Sequence, residues 1–329
     1  MKNKLGLLAA FAAGAFACML GLSGPASAQS GGAQPTKDLV QRGDAKCTRC
    51  HDENDEPPVL GIGKTRHGVM ADARTPTCTS CHGESDAHAD KPRAAKPERT
   101  FKRNDQHTSA QAKSEGCLSC HQGGKQIHWQ GSAHDRTRVS CSDCHQVHAA
   151  KDQVLVQQTQ ASVCFTCHKD TRAAIMRFSS HPLRTGQMSC SACHQPHGSV
   201  GEHQLIRQSV NDTCYTCHAD KRGPFIWEHP PSRENCGECH SPHGSNVAPL
   251  LKARGPYLCQ QCHINAQHPS TAYTGNNLPT FPGAPGSPAR QPVFPGGGFA
   301  GDKMLGQNCM NCHPKVHGSN HPSGARFTR

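Results

Sequence analysis

Cys190-Ser191-Ala192-Cys193-His194-Gln195-Pro196-His197-Gly198 is the stretch from which the rest of the chain is read. Cys-x-x-Cys-His is the attachment signature of a c-type haem. Two thiols form thioethers to the porphyrin edge, and the adjacent histidine ligates the iron from one side. Three residues later comes a second histidine, His197. Both side chains leave the same side of a short segment, so His197 is expected not to cross the porphyrin to the far face of the same iron. The spacing predicts that it ligates a neighbouring haem. The segment would then bind one haem covalently and another by coordination.

The rest of the chain repeats this device. Of 21 cysteines, 20 fall in ten such motifs and only Cys18 is left over. The expected attachment pairs in the first half are Cys47 and Cys50, Cys78 and Cys81, Cys117 and Cys120, Cys141 and Cys144, Cys164 and Cys167. Those in the second half are Cys190 and Cys193, Cys214 and Cys217, Cys236 and Cys239, Cys259 and Cys262, Cys309 and Cys312. Their adjacent histidines, the expected proximal ligands, are His51, His82, His121, His145, His168, His194, His218, His240, His263 and His313. A disulfide framework would leave irregular spacings without linked histidines. Zinc would not explain a histidine directly after every second cysteine.

Fourteen histidines lie outside the motifs, and ten of them alternate with the motifs in five two-haem units. In order these are His67, His88, His134, His148, His181, His197, His229, His243, His268 and His317, the expected distal ligands. His107, His128, His203 and His321 remain. They are read as surface or hydrogen-bonding histidines, with His128 and His321 the least excluded as ligands. Units beginning at Cys117, Cys164, Cys214 and Cys259 follow one another at 47, 50 and 45 residues. The first unit is stretched by a Lys-, Arg- and Ala-rich segment, 83–113. The fifth is interrupted by a Gly- and Pro-rich insert at about 269–306, which cannot be a helix interior or central strand. That insert is either a surface loop or a contact with a partner near the last haem.

The fold class that follows is a multihaem c-type cytochrome: short helices and irregular loops around a linear haem chain, with little or no sheet. Residues 153–163 and 169–178 each suit a short helix. Apolar residues make up 34% of the chain and aromatics 5%, too little for the aliphatic core of a chain this long. The porphyrins must then supply most of the buried apolar surface.

Residues 1–28 read as an export signal, with Lys2 and Lys4, an apolar run and the cleavage site Ala26-Ser27-Ala28. Cys18 lies inside that run and is expected to leave with it. Residues 29–46 form a polar tether, 47–321 the decahaem domain and 322–329 a tail. No other apolar run reaches the length of a membrane helix. The formal charge of +11 becomes +9 once Lys2 and Lys4 are gone. Each ferric haem carries two propionates against one net positive charge at the iron porphyrin, so ten would bring the whole near neutral. The basic residues are therefore read as propionate partners, not as a nucleic-acid surface.

Two histidine ligands fill both axial positions of an iron. Open-site chemistry on a small substrate needs one of them vacant. Ten filled irons make a wire or a store. The expected function is electron transfer and not catalysis, with a soluble periplasmic carrier and a multihaem reductase as alternatives.

Several stretches carry a more specific signal. Ser209-Val210-Asn211-Asp212-Thr213-Cys214-Tyr215, Lys221-Arg222-Gly223-Pro224, Trp227-Glu228-His229, Leu258-Cys259-Gln260-Gln261-Cys262-His263 and Val316-His317-Gly318-Ser319-Asn320-His321-Pro322-Ser323-Gly324 resemble the MtrA/DmsE/PioA family of periplasmic decahaem cytochromes. The resemblance runs over the whole mature chain and is strongest from Ser140 onward. It implies ten bis-histidine c-type haems in an elongated wire, threaded through an outer-membrane β-barrel porin of the MtrB/PioB type. It implies electron exchange with a periplasmic or inner-membrane c-type cytochrome, for extracellular mineral respiration or ferrous iron oxidation. Whether an extracellular multihaem cytochrome docks at the outer end stays open. Carried over by position, the family's distal ligands fall on the same ten histidines.

Overall fold

The computed structural model describes residues 44–69, 74–263 and 308–328, all within the compact unit Leu39–Arg329. The export signal with Cys18, most of the tether, His268 and the Gly/Pro-rich insert lie outside the described residues. So the expectations attached to them are not addressed by the fold.

Each motif is a single helical turn. The histidine N–H donates to the carbonyl of the first cysteine, four residues back, at 2.9–3.1 Å in nine motifs. In the other, the turn is helix α1, Cys78–His82. One turn brings positions i, i+3 and i+4 to one face. That face is where both thiols and the imidazole must meet one porphyrin.

The turns are built in two alternating ways. In four odd-numbered motifs a helix runs into the first cysteine: α3 (Ala110–Leu118), α5 (Gln157–Cys164), α7 (Val210–Tyr215) and α9 (Tyr257–Gln260). In the even-numbered motifs the first cysteine starts the helical turn. It is preceded at the N-cap by Thr77, Ser140, Ser189, Asn235 or Asn308. These are residue types whose side chains accept from the exposed N–H groups of a first turn. Thr77 accepts from Ser80 N, Asn235 from Gly237 N and Asn308 from Met310 N.

Between motifs the backbone is mostly irregular. The remaining helices are α2 (Asp86–Asp90), α4 (Ala133–Arg136), α6 (Lys169–Ile175) and α8 (Pro230–Glu234). The expected helix at 153–163 is divided. A 3-10 turn, Gln153–Leu155, is followed by an extended Val156 (φ −99°, ψ 121°), and only then by α5. Helix α6 stops at Ile175, three residues short of the expected end. Pairing of extended backbone among the described residues is confined to isolated bridges, such as Ser179 with Ser245 and Trp227 with Ser319. No helix among these residues is long and apolar enough to cross a membrane.

The buried apolar side chains among them are Trp129, Ala161, Ile175 and Leu205. Four such residues cannot drive collapse of a chain this size, since burial of apolar area is the main favourable contribution to folding. Local turns and hydrogen bonds fix the backbone around the motifs. The stretched first unit shows how. Arg99 N–H donates to the His82 carbonyl at 3.0 Å, and its guanidinium reaches the Cys81 carbonyl at 3.1 Å. Upstream, Asp44 accepts from Cys78 N at 2.7 Å, and Lys46 pairs with Asp86 at 2.9 Å. Residues on both sides of the second motif are thus tied to it or to the helix that follows it.

Candidate haem-holding sites

Nine motif histidines each face one histidine from outside the motifs. The pairs are His51 with His88, His82 with His148, His121 with His67, and His145 with His197. They continue as His168 with His134, His194 with His243, His218 with His181, His240 with His317, and His263 with His229. Ring centres are 5.9–6.4 Å apart throughout. That separation suits one iron between two imidazoles, with about 2.0 Å from metal to each nitrogen and about 1.1 Å from nitrogen to ring centre. The separation is too wide for direct contact. Among the described residues no third His, Cys, Asp or Glu converges with a pair to hold a metal ion. Two opposed axial nitrogens, with the plane between them left to the ligand, are what a porphyrin takes. The residues present therefore fit c-type haems.

The pairing follows a rule that the sequence does not display. Numbering the motifs in chain order, the histidine after an odd motif faces the motif two further on. Thus His67, which follows the first motif, faces His121 of the third; His134, His181 and His229 repeat this step. The histidine after an even motif faces the motif two back: His148, His197, His243 and His317 face His82, His145, His194 and His240. At the N-terminal end His88 turns back to the first motif and faces His51. His197 thus faces His145, while its own segment's His194 faces His243. The tenth motif's His313 is described, but its expected partner His268 lies outside the described residues.

In many of these pairs a ring nitrogen not aimed at the partner is held from behind. Nδ1–H of His82 donates to the Arg99 carbonyl, of His88 to Ala95, of His134 to Pro196 and of His181 to Pro242, each at 2.8 Å. His194 and His240 donate to the carbonyls of His203 and Pro249 at 3.0 and 2.9 Å. His51 and His145 differ: they donate to carboxylates, Asp55 at 2.8 Å and Asp152 at 2.7 Å. Such a bond behind the ring fixes its tautomer and leaves Nε2 to bind metal. Burial also lowers the proton affinity of His67, His82, His197, His229, His240, His243 and His317. A neutral imidazole is the form that ligates.

The cysteines line the same turns, and no disulfide joins any of the twenty. Burial raises the thiol pKa of Cys81, Cys144, Cys193 and Cys239. These sites resist a charged thiolate, whereas an uncharged thioether suits them. The sulfurs also order the motifs along the chain. Within each unit the two first cysteines are close enough to influence one another's ionisation: Cys47 and Cys78, Cys117 and Cys141, Cys164 and Cys190, Cys214 and Cys236, Cys259 and Cys309. Between units the second cysteines come near one another: Cys81 and Cys120, Cys144 and Cys167, Cys193 and Cys217, Cys239 and Cys262. Each motif thereby neighbours the next, from the first to the tenth.

The remaining four histidines make other contacts. His107 Nε2–H donates to the Pro97 carbonyl at 2.8 Å. His321 Nδ1 accepts from Ser323 N at 3.1 Å. His203, at a left-handed φ of 51°, offers its carbonyl to His194. The carbonyl of His128 packs against Gly198. Asp55 and Asp152 had no distinctive signal in the sequence: they stand four and seven residues after motif histidines, and Asp86, also four residues after one, pairs with Lys46 instead.

Two family descriptions match parts of the chain. "Doubled CXXCH motif" matches residues 181–223 and 229–268, and "Cytochrome c-type protein NrfB-like" matches 78–159. The chain is also similar to a curated protein, Multiheme cytochrome MtrA of Shewanella baltica (strain OS185). The two are 40% identical over 292 residues, which is 88% of this chain and 82% of that protein.

Proposed function

The chain belongs to the family of multihaem c-type cytochromes that includes MtrA, and on that premise we propose that it is a decahaem conduit carrying electrons between periplasm and cell exterior. It is an electron-transfer cytochrome with multiple c-type haems. The finer reading has ten haems, each held by two thioethers and two histidines. The motif cysteines attach them and the motif histidines are proximal. The distal ligands follow the observed pairs, with His268 opposite His313. That last assignment mirrors the N-terminal end, where His88 closes the circuit on the first motif. The protein is exported to the periplasm and lies within an outer-membrane β-barrel porin. A periplasmic or inner-membrane c-type cytochrome serves its inner end.

The observation that carries this reading is the interlocking of the histidine pairs, each joining two different motifs at ring-centre distances of 5.9–6.4 Å from the first motif to the ninth. A bound haem supplies a reversible one-electron couple. The residues of this chain do the rest. The motif turns would hold each porphyrin at a fixed place, and the paired histidines would ligate its iron from both sides. Both ligands are histidine and not methionine, which favours low potentials. With both axial positions filled there is no site for a substrate, so the site geometry suits transfer and not catalysis.

Fractionation tests the conduit against a soluble carrier. After detergent extraction of outer membranes the protein should co-purify with a β-barrel at a fixed ratio. Release in the soluble periplasmic fraction, free of any barrel, would favour the carrier.

A further inference from the structure

We propose that Asp152 and Asp55 set the fourth and first haems apart from those whose histidines are held by backbone carbonyls, by holding their proximal histidines through a negatively charged partner and so lowering their reduction potentials. The proposal rests on the histidine ligation described above.

The contrast is internal to the chain. Wherever else a paired histidine's Nδ1 hydrogen bond is described above, the acceptor is an uncharged backbone carbonyl. His145 instead donates to Asp152 Oδ2 at 2.7 Å, and His51 to Asp55 Oδ2 at 2.8 Å. A carboxylate draws the Nδ1 proton toward itself and gives the ring imidazolate character. The ring becomes a stronger donor at Nε2, which favours the ferric over the ferrous state. Hydrogen bonding behind the ligand is one of the means by which a protein sets a haem's potential.

Asp152 is built for this position. It caps the 3-10 turn Gln153–Leu155, where Oδ1 accepts from Val154 N at 3.3 Å, which leaves Oδ2 for the imidazole. Its side chain is 13% exposed, against 29% for Asp55. Water screens the deeper carboxylate less, so the effect should be larger at the fourth haem. On the opposite side of that haem, His197 Nδ1 is buried without a hydrogen-bond partner. No second carboxylate or carbonyl alters the donor strength from that side. The fourth haem would thus be a low step inside the series, and the first a low step at its end. Electrons entering a partly reduced chain would leave these two oxidised longest.

The test is a redox titration of the full haem-loaded chain, poised with mediators and followed by electron paramagnetic resonance of the low-spin ferric signals. Asp152→Asn keeps the shape and the Oδ1 cap but removes the charge. In that variant, one haem should show a ferrous-to-ferric ratio raised about tenfold at fixed potential, equal to 59 mV for a one-electron couple. Asp55→Asn, on a more exposed turn, should move a different haem by less. Asp152→Glu should restore part of the difference. Glu115→Gln, which removes a carboxylate bonded to Gln111, should move no haem tenfold. If every ratio in Asp152→Asn and Asp55→Asn stays within twofold, or all haems move alike, the proposal is overturned. A high-spin haem in the unaltered protein would overturn the ligation beneath it instead, so the two failures are told apart.

Discussion

His197 and His194 leave one short segment and face different partners, His145 and His243. The consequence is specific. In His197→Ala the haem on Cys190 and Cys193 should stay attached and low-spin, because both of its histidines remain. The haem on Cys141 and Cys144 should lose its sixth ligand. One haem in ten should then turn high-spin by electron paramagnetic resonance, with an altered absorption near the Soret maximum. A high-spin haem traced to Cys190 and Cys193 would contradict the pairing. At this scale the sequence was informative about residue type. The motifs name the cysteines and ten histidines, and spacing alone argues that His197 does not serve its own porphyrin. Which motif it faces was not legible, because the partner lies 52 residues upstream across two intervening segments. Asp55 and Asp152 were invisible for the same reason that most hydrogen bonds behind a ligand are: loop geometry and not a repeat brings them to the ring.

At the scale of elements, a clasp recurs where the later even-motif histidines meet odd ones. His134 and His181 donate to the carbonyls just before His197 and His243, namely Pro196 and Pro242. The His229 ring approaches the Val316 carbonyl, just before His317. A glycine follows each of these even histidines: Gly198 at φ +101°, Gly244 at +144° and Gly318 at +138°. Beside Gly244, Ser245 exchanges both backbone hydrogen bonds with Ser179, at 2.8 and 2.9 Å. A Cβ on Gly244 would run into the Ala174 carbonyl, backbone that cannot rotate away. Together with the left-handed φ, Gly244→Ala should cost about 1–3 kcal/mol. Denaturant unfolding of the haem-loaded protein would measure it. The same variant should broaden the low-spin signal of the haem held by His194 and His243; an unchanged midpoint would show that the clasp carries no load. Sequence periodicity predicted short helices at 153–163 and 169–178, and α5 and α6 occupy most of both. The break at Val156 was not predictable, since it comes from Asp152 capping a separate turn while also reaching His145.

At the scale of the whole molecule, the scarcity of aliphatic residues and the near absence of an apolar core say the same thing. Among the described residues only Trp129, Ala161, Ile175 and Leu205 are buried and apolar. A porphyrin at each motif would bury its own faces and the side chains around them, and that area takes the place of a core. Haem-free protein should therefore be largely unfolded, with no cooperative thermal transition by circular dichroism; a sharp melt would contradict this. The repeat itself was legible as alternation of motif and histidine. Its closure into one series was not, because the links run through space between second cysteines such as Cys144 and Cys167.

The central claim is that this series conducts across a membrane, and transport through a sealed bilayer tests it most directly. The purified cytochrome with its barrel would be reconstituted into liposomes holding a redox dye, with ferrous iron or ferric oxide offered outside. Dye should be reduced or oxidised according to the imposed poise, and only when cytochrome and barrel are both present. No electron movement in either direction with both present would contradict the account.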